Sequence, residues 1–134
     1  PGNVGAVIRS AAAFGLEVIV LLAEAALPFH PRSVRAGGTA IFQVQYRRGP
    51  SIGNLDAVPV PIISLSSDGV PINDFKFPER CALLPGLEGP GFPCGITTDY
   101  TVSIPIEPQV ESLNAAVAVS IALYEYRKKR ASQL

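Results

Sequence analysis

The sequence has few of the residues on which several common classes of site depend. Its 134 residues include one histidine, His30, and two cysteines, Cys81 and Cys94, which do not form a CxxC pair. A zinc site or a disulfide framework needs more such residues at closer spacing, so both cysteines are interpreted as structural thiols and no metal is expected. A lone histidine between prolines, without a G-x-S-x-G segment, also argues against a serine hydrolase.

Long apolar runs are absent as well. The longest, residues 18–27, is interrupted by Glu24 and is much shorter than the roughly 20 residues of a membrane span. No secretory signal pattern is visible, so we expect a cytoplasmic protein without a membrane partner. Neither a Walker A segment nor G-x-G-x-x-G occurs, and Pro90 removes an N–H from the glycine-rich loop. Kinase and dinucleotide-dehydrogenase functions are therefore disfavoured.

Net charge is absent too, because eleven basic and eleven acidic residues cancel. Neutrality argues against strongly electrostatic binding of nucleic acid, but the charges are unevenly distributed. Arginines outnumber carboxylates in the first fifty residues, and Arg127-Lys128-Lys129-Arg130 ends the last predicted helix. This segregation permits a basic face. For the last cluster alone, complementing the helix dipole is the slightly favoured interpretation.

Length and composition indicate one α/β domain over residues 1–134. A chain of this length buries a real core, and 48% hydrophobic with 16% charged residues excludes disordered and coiled-coil classes. Because the chain starts at Pro1 inside a patterned segment, we expect upstream residues to be missing.

Helical and strand patterns alternate along the sequence. Asn3 predicts the N-cap of a helix over 4–14 that Gly15 ends, and the run 17–22 predicts a strand buried on both faces. Alternation predicts a mostly parallel sheet with helices on both faces. The remaining predicted elements are a short helix over 32–36, strands over 41–46, 61–66 (closed by a turn at 68–69), 80–84 and 100–106, and a helix over 111–130.

The last predicted helix is apolar nearly all the way round between residues 115 and 124. Such a helix needs cover on more than one side. Since it ends a small domain, a subunit interface is the simplest cover.

Three segments combine residues that favour unusual backbone conformations with polar side chains at positions where packing alone would favour apolar ones. The first two are 3–11 and 84–92. In 3–11, Arg9 lies opposite much of the apolar face of the predicted helix, and a solvated arginine is its simpler interpretation. In 84–92, three glycines and Glu88 follow a predicted strand, where ligands bind in open α/β sheets. A rigid turn is the alternative for this loop, although Glu88 favours a function.

The third segment is 103–118. Pro105 and Pro108 end a predicted strand and free its carbonyl groups, and Ser112 and Asn114 lie at a helix start. N-capping is the simpler interpretation of both polar residues, and it is favoured more for Ser112 than for Asn114.

Together the three segments resemble, in order and spacing, the three motifs of the SpoU (TrmH) branch of the SPOUT RNA 2′-O-ribose methyltransferases. The resemblance spans nearly the whole chain. The matching residues are Asn3, Gly5 and Arg9 in the first motif, Gly86, Glu88, Gly89 and Gly91 in the second, and Ile104, Pro105, Ser112, Leu113 and Asn114 in the third.

The resemblance implies a parallel sheet with a C-terminal trefoil knot and a homodimer formed through the C-terminal helix. It implies S-adenosylmethionine as cofactor and tRNA or rRNA as partner, with the family's first strand and any RNA-binding extension upstream of Pro1. The cofactor residues implied are Leu65, Gly86, Leu87, Ile104 and Leu113.

The resemblance marks Arg9 as central to transfer of a methyl group to a ribose 2′-hydroxyl. Because guanidinium is effectively always protonated, we expect Arg9 to hold an RNA phosphate and stabilise the developing alkoxide. Glu88 would orient Arg9 or accept the proton, Asn3 would hold the ribose, and Ser112 and Asn114 would complete the pocket.

Two other functions stay open at this point. One is a non-catalytic, dimeric RNA-binding or assembly module that kept the fold. The other is a nucleotide-sensing α/β domain that binds an adenosine-containing ligand without transferring a group.

Overall fold

The computed structural model describes residues 2–85 and 96–131. The chain divides into two compact units, Pro1–Ala57 and Val58–Leu134. Within the described residues the α-helices and strands are α1 (Gly2–Ala13), β1 (Val18–Leu21), α2 (Pro31–Gly37), β2 (Gln45–Arg48), β3 (Ile62–Pro71), β4 (Ala82–Leu84), β5 (Tyr100–Ser103) and α3 (Ala115–Ala131).

The first unit pairs β1 and β2 in parallel, from Val18 opposite Gln45 to Leu21 opposite Arg48. Helices α1 and α2 pack closely because α1 has Gly5 at their crossing. A Cβ at Gly5 would overlap the carbonyl oxygen of Ser33 in α2. The core beside this crossing contains Ile8, Ile41 and Val44.

The prediction for the start of α1 was wrong by two residues. The helix begins at Gly2, so Asn3 lies inside the first turn rather than at the N-cap, because propensity alone does not fix a boundary to the residue. The predicted end is confirmed. Gly15 has φ of 83°, and its N–H donates to Ala12 O at 3.1 Å, a left-handed stop that favours glycine.

Two further predictions for this unit were wrong. Residues Gly38–Phe42 form a 3₁₀ helix, and the strand predicted over 41–46 runs instead over Gln45–Arg48. Alternation did not distinguish the two because Ile41 is buried in either conformation. In β1, Val18 and Val20 are exposed, so the described residues do not bury this strand on both faces.

The second unit has a three-stranded parallel sheet in the order β4-β3-β5. Its core lies between the sheet and α3, where Ile63, Phe75, Val102 and Ala122 are buried in one cluster. The α/β class with parallel strands is confirmed.

Three boundaries in this unit differ from the predictions. Asp68 and Gly69 lie within β3 in a register shift between Leu65 and Val70, not in a turn that closes it. Gly69 is needed there, because a Cβ would lie 2.6 Å from backbone atoms of Thr101. Strand β5 ends at Ser103, two residues before Pro105, and α3 starts at Ala115 rather than near 111.

Two cations at the end of α3 are held by the backbone of the second unit. Lys129 Nζ donates to Ile72 O at 2.8 Å and lies 5.7 Å from the Phe77 ring centroid. Arg130 Nη1 donates to Glu79 O at 2.9 Å. These contacts give Lys129 and Arg130 a structural role at the helix end. No helix in the described part of the chain is long and apolar enough to cross a membrane.

Candidate cofactor and substrate site

Three parallel strands of the second unit run toward the same edge of the sheet, where β4 ends and β3 shifts register after Leu65. Ser64 of β3 lies opposite Leu84 of β4, and Leu65 lies opposite Val102 of β5. This register places Leu65 just past the end of β4 and two residues before the level of Ile104, which follows β5; β3 then shifts register, so that Pro71 lies opposite Ser103 at the end of β5. The carboxyl edge of an open parallel sheet is where such folds bind ligands. Two of the predicted cofactor residues, Leu65 and Ile104, therefore belong to neighbouring strands or their ends, and their assignment to the cofactor stays a prediction.

The side chains at this edge are suited to a flat apolar ligand group. Leu65 is half-buried against the core, and Ile104 is half-buried after β5. Pro105 follows without an N–H, so the strand ladder does not continue there. Apolar surface beside free backbone groups is what an adenosine ring needs. These residues fit S-adenosylmethionine.

Polar side chains connect the residues before β5 to β3. The hydroxyl of Ser64, which is buried, lies 2.8 Å from Thr98 Oγ1. Asp99 Oδ2 accepts a hydrogen bond from the N–H of Ile62 at 2.7 Å. The residues just before β5 are thereby tied to β3. The sequence analysis missed these groups, and their only signal was the polar run 97–99 ahead of a strand.

The start of α3 presents the other predicted residues of this unit. Asn114 Oδ1 accepts hydrogen bonds from the N–H groups of Ala116 at 2.9 Å and Val117 at 3.3 Å. Asn114 is therefore the N-cap, and the expectation that Ser112 was the better candidate was wrong. Ser112 is exposed, and Leu113 is half-buried between them.

The residues of the first motif lie on α1 in the first unit. Arg9 is exposed, whereas the adjacent Ile8 is fully buried, so the helix directs the guanidinium away from the core. Asn3 is half-buried on the same helix and makes contacts. Gly5 is explained by packing, because it lets α1 approach the backbone of α2 and so fixes the helix that carries Arg9.

The second motif cannot be located in the same way. Gly86, Leu87 and Glu88 lie outside the described residues, as do Gly89 and Gly91. In the sequence, Gly86 is two residues after the end of β4. Their assignments stay predictions. No group of three or more potential metal-binding side chains occurs in residues 2–85 and 96–131.

In the first unit, a carboxylate, Glu24, lies after the end of β1 and contacts the loop after β2. The hydroxyl of Ser51 donates to Glu24 Oε1, and the N–H of Ile52 donates to Glu24 Oε2 at 3.0 Å. These two hydrogen bonds hold the pKa of Glu24 below its ordinary value, against a smaller desolvation effect. The contact joins two loops, and the sequence analysis did not predict it.

A sequence model of the SpoU rRNA Methylase family matches residues 1–124. A protein of Syntrophobacter fumaroxidans named ribosomal RNA small subunit methyltransferase G 2 is 50% identical over 96% of this chain, but the match covers 25% of that protein. The 23S rRNA (uridine(2479)-2′-O)-methyltransferase of Streptomyces viridochromogenes is 36% identical over 98% of this chain and 50% of that protein. The chain thus spans a quarter to a half of the length of these relatives.

A solved structure has the same fold. The SpoU methyltransferase AviRb from Streptomyces viridochromogenes, in complex with AdoMet, matches with a TM-score of 0.85 and 34% identity. The match covers 98% of this chain and 54% of that one.

Proposed function

The chain belongs to the SpoU rRNA methylase family, and on that premise we propose that it transfers a methyl group from S-adenosylmethionine to a ribose 2′-hydroxyl of rRNA or tRNA. The observation that supports the proposal is the parallel register of the second unit, which pairs Leu65 with Val102, two residues before Ile104, on neighbouring strands. The 2′-O-methyltransferase and AdoMet-bound relatives supply the reaction class. Bacterial rRNA as substrate makes the cytoplasm the proposed location.

The cofactor residues of the proposal are Leu65, Ile104 and Leu113, together with Gly86 and Leu87 beyond the described part. The apolar side chains would contact the adenine, and backbone groups after β4 and β5 would hydrogen-bond its edge. When bound, S-adenosylmethionine supplies a methyl group on a sulfonium, which a hydroxyl oxygen displaces in line. The protein has to align that hydroxyl and remove its proton.

We assign Arg9 to the RNA phosphate next to the target ribose. Its exposed guanidinium is free to form a bidentate contact with phosphate oxygens, and the same charge stabilises the alkoxide as it forms. Asn3 is assigned to the ribose, Glu88 to the proton, and Ser112 to the pocket beside Leu113. Asn114 holds this end of α3 in place as its N-cap.

The cofactor site is tested by titrating S-adenosylhomocysteine into the protein by calorimetry. Ile104→Ala removes apolar contact at the edge and is expected to weaken binding about tenfold. Ile106→Ala is the matched control, because Ile106 lies two residues further on and has no assigned role. Equal affinity in the wild type and both variants would contradict the site.

The reaction is tested with methyl-labelled cofactor and unmodified rRNA or tRNA transcripts. A 2′-O-methyl group blocks alkaline cleavage at that linkage, so label in alkali-resistant dinucleotides identifies the product. Arg9→Ala should lower transfer by at least about 100-fold while S-adenosylhomocysteine still binds. Binding without any transfer by the wild type would favour the non-catalytic module.

We also propose that α3 forms the homodimer interface. Val117 is 48% exposed on α3, and Tyr124, seven residues on, is exposed on the same side. Val117→Asp should shift the protein from dimer to monomer in sedimentation velocity. Val110→Asp, which changes an equally exposed valine outside the helix, should not. A monomeric wild type would contradict this proposal.

The trefoil knot of the family belongs to the same proposal. Among the described strands, β4 and β5 follow one another and lie on opposite sides of β3, an order that is compatible with a threaded connection. An experimental chain trace through residues 86–95 tests it directly. A trace in which the chain threads no loop would contradict it.

A further inference from the structure

Two phenylalanine rings lie side by side on the surface of the first unit. Phe29 is 57% exposed and Phe42 is 72% exposed, with ring centroids 5.9 Å apart and planes tilted by 35°. Tyr46 meets Phe29 edge-on at 5.8 Å. We call Phe29, Phe42 and Tyr46 the aromatic platform. Exposed large apolar side chains that lie together mark a binding surface, whereas scattered ones do not.

The platform is held in place by hydrogen bonds within the unit. Tyr46 Oη donates to Ile41 O at 2.6 Å, and Ser33 Oγ donates to Leu27 O at 2.9 Å. Phe29 lies two residues before α2, and Phe42 is the last residue of the 3₁₀ helix that follows α2. The contact between the two rings therefore joins the two ends of the segment 29–42. A surface fixed in advance loses little entropy when a ligand binds.

The segment that carries the platform has charged side chains of one sign. No Asp or Glu occurs between Glu24 and Asp56, while Arg32, Arg35, Arg47 and Arg48 all do. All four arginines are exposed. None forms an ion pair with another residue in the described ranges 2–85 and 96–131. The surface therefore suits a polyanion.

We propose that the aromatic platform stacks unpaired bases of an RNA whose phosphates contact Arg32 and Arg35. This inference rests on the proposed function and deepens it, because it names a substrate-binding surface made of residues other than those assigned to methyl transfer. Aromatic rings beside cations are the usual means of holding single-stranded RNA, since every base has a π-face. Arginine also binds phosphate in bidentate geometry.

A second copy of this chain is the competing occupant. A twofold contact through the platform would bring the same arginines of both copies together. Like charges that face one another across an interface oppose association, so the one-signed surface favours RNA over self-association.

The stacking is tested with an RNA of about 12 nucleotides that contains 2-aminopurine, titrated into the wild-type chain and variants. Phe42→Leu should weaken binding about 5- to 100-fold and abolish the stacking quench of 2-aminopurine. Phe42→Tyr keeps an aromatic ring and should bind like the wild type. The side chain is largely exposed, and circular dichroism verifies that both variants fold. Wild-type affinity in Phe42→Leu would overturn the inference.

The phosphate contact is tested by the salt dependence of the same binding. Arg35→Ala should lower the slope of log affinity against log salt by about one. Arg80→Ala removes an exposed arginine of the second unit and should leave the slope unchanged. Equal slopes in the wild type and both variants would overturn the role of Arg35.

Two further measurements separate this inference from its alternatives. Phe42→Leu should bind S-adenosylhomocysteine like the wild type. If the wild type binds S-adenosylhomocysteine and methylates RNA while Phe42→Leu retains full RNA affinity, the platform inference fails and the proposed function stands. If Phe42→Leu instead lowers the mass in sedimentation velocity, the platform is an interface between copies and the inference is overturned.

Discussion

Asn114 has the capping role that the sequence favoured more for Ser112. Its side-chain oxygen accepts hydrogen bonds from two N–H groups at the start of α3, which the helix itself leaves unpaired. The same asparagine therefore affects both the stability of the helix and the position of the neighbouring Leu113.

Replacing Asn114 with alanine should lower the free energy of unfolding by about 0.5–2 kcal/mol in urea denaturation. Asn114→Ser keeps a capping oxygen and should restore most of that stability. Methyl transfer measured on both variants tells whether capping is the residue's whole contribution. Full activity in the serine variant means that it is, and loss of activity at wild-type stability would show a direct role in the pocket.

Glu24 gives a prediction about pH. Because the hydrogen bonds from Ser51 and Ile52 lower the folded pKa of Glu24, its contribution to stability is present above the unfolded pKa and is lost as pH falls through the folded pKa. Ser51→Ala removes the larger cause and should move the pKa of Glu24 upward in an NMR titration of the carboxyl carbon. Ser67→Ala, an exposed serine of the second unit, should leave it unchanged. An unmoved pKa in Ser51→Ala would refute the assigned cause.

At the scale of elements, the crossing of α1 and α2 decides how the helix of Arg9 is held. A Cβ added at Gly5 would overlap the carbonyl oxygen of Ser33 in α2, and a Cβ added at Gly37 would lie only 3.1 Å from the carbonyl oxygen of Gly5. Two glycines that face each other allow an approach closer than ordinary helix packing. The first motif thus combines one residue for chemistry with one for packing.

Gly5→Ala should lower the free energy of unfolding by about 1–3 kcal/mol, because overlap with Ser33 outweighs the gain in helix propensity. Gly2→Ala is the matched control on the same helix, since nothing lies within 4 Å of a Cβ there. Thermal denaturation of the two variants measures the difference. Equal stabilities would contradict the close crossing.

The sequence predicted the elements better than their ends. Among the described residues, apolar periodicity located the three α-helices and four of the five strands, and it predicted none of the 3₁₀ helices. It assigned 41–46 to a strand and 68–69 to a turn. Both errors arose where a tertiary contact decides the local conformation. Burial of Ile41 suits a 3₁₀ helix as well as a strand, and the fit of Gly69 against β5 depends on a residue more than thirty positions away.

The candidate site was predictable to a similar degree. The resemblance assigned Leu65 and Ile104 to the cofactor, and the structure adds that Leu65 lies opposite Val102, two residues before Ile104; their roles stay predictions. The roles of Ser64 and Asp99 were not predictable, because a serine inside a strand or an aspartate before one has no distinctive pattern. The aromatic platform was missed because Phe29 and Phe42 meet only when α2 and the 3₁₀ helix have formed.

At the scale of the whole molecule, each unit has its own core. Ile41 in the first and Ile63 in the second are both fully buried, with 0% and 1% exposure. The two isoleucines therefore serve as matched probes of how far a local change spreads.

Ile41→Val and Ile63→Val should each cost about 0.5–1.5 kcal/mol of unfolding free energy. Hydrogen exchange by mass spectrometry should rise mainly in residues 2–57 for the first variant and mainly in 58–131 for the second. A uniform rise across the chain in both variants would mean that the units open as one.

All the strand pairs described here are parallel, and this affects the order in which the protein matures on the ribosome. Synthesis proceeds at roughly 5–20 residues per second from the N-terminus. The pair β1–β2 is complete once Arg48 has emerged, whereas β3, complete at Pro71, gains its second neighbour only with β5, some thirty residues later. For several seconds the nascent chain therefore exposes one side of β3, and nascent-chain binding factors have that interval in which to protect it.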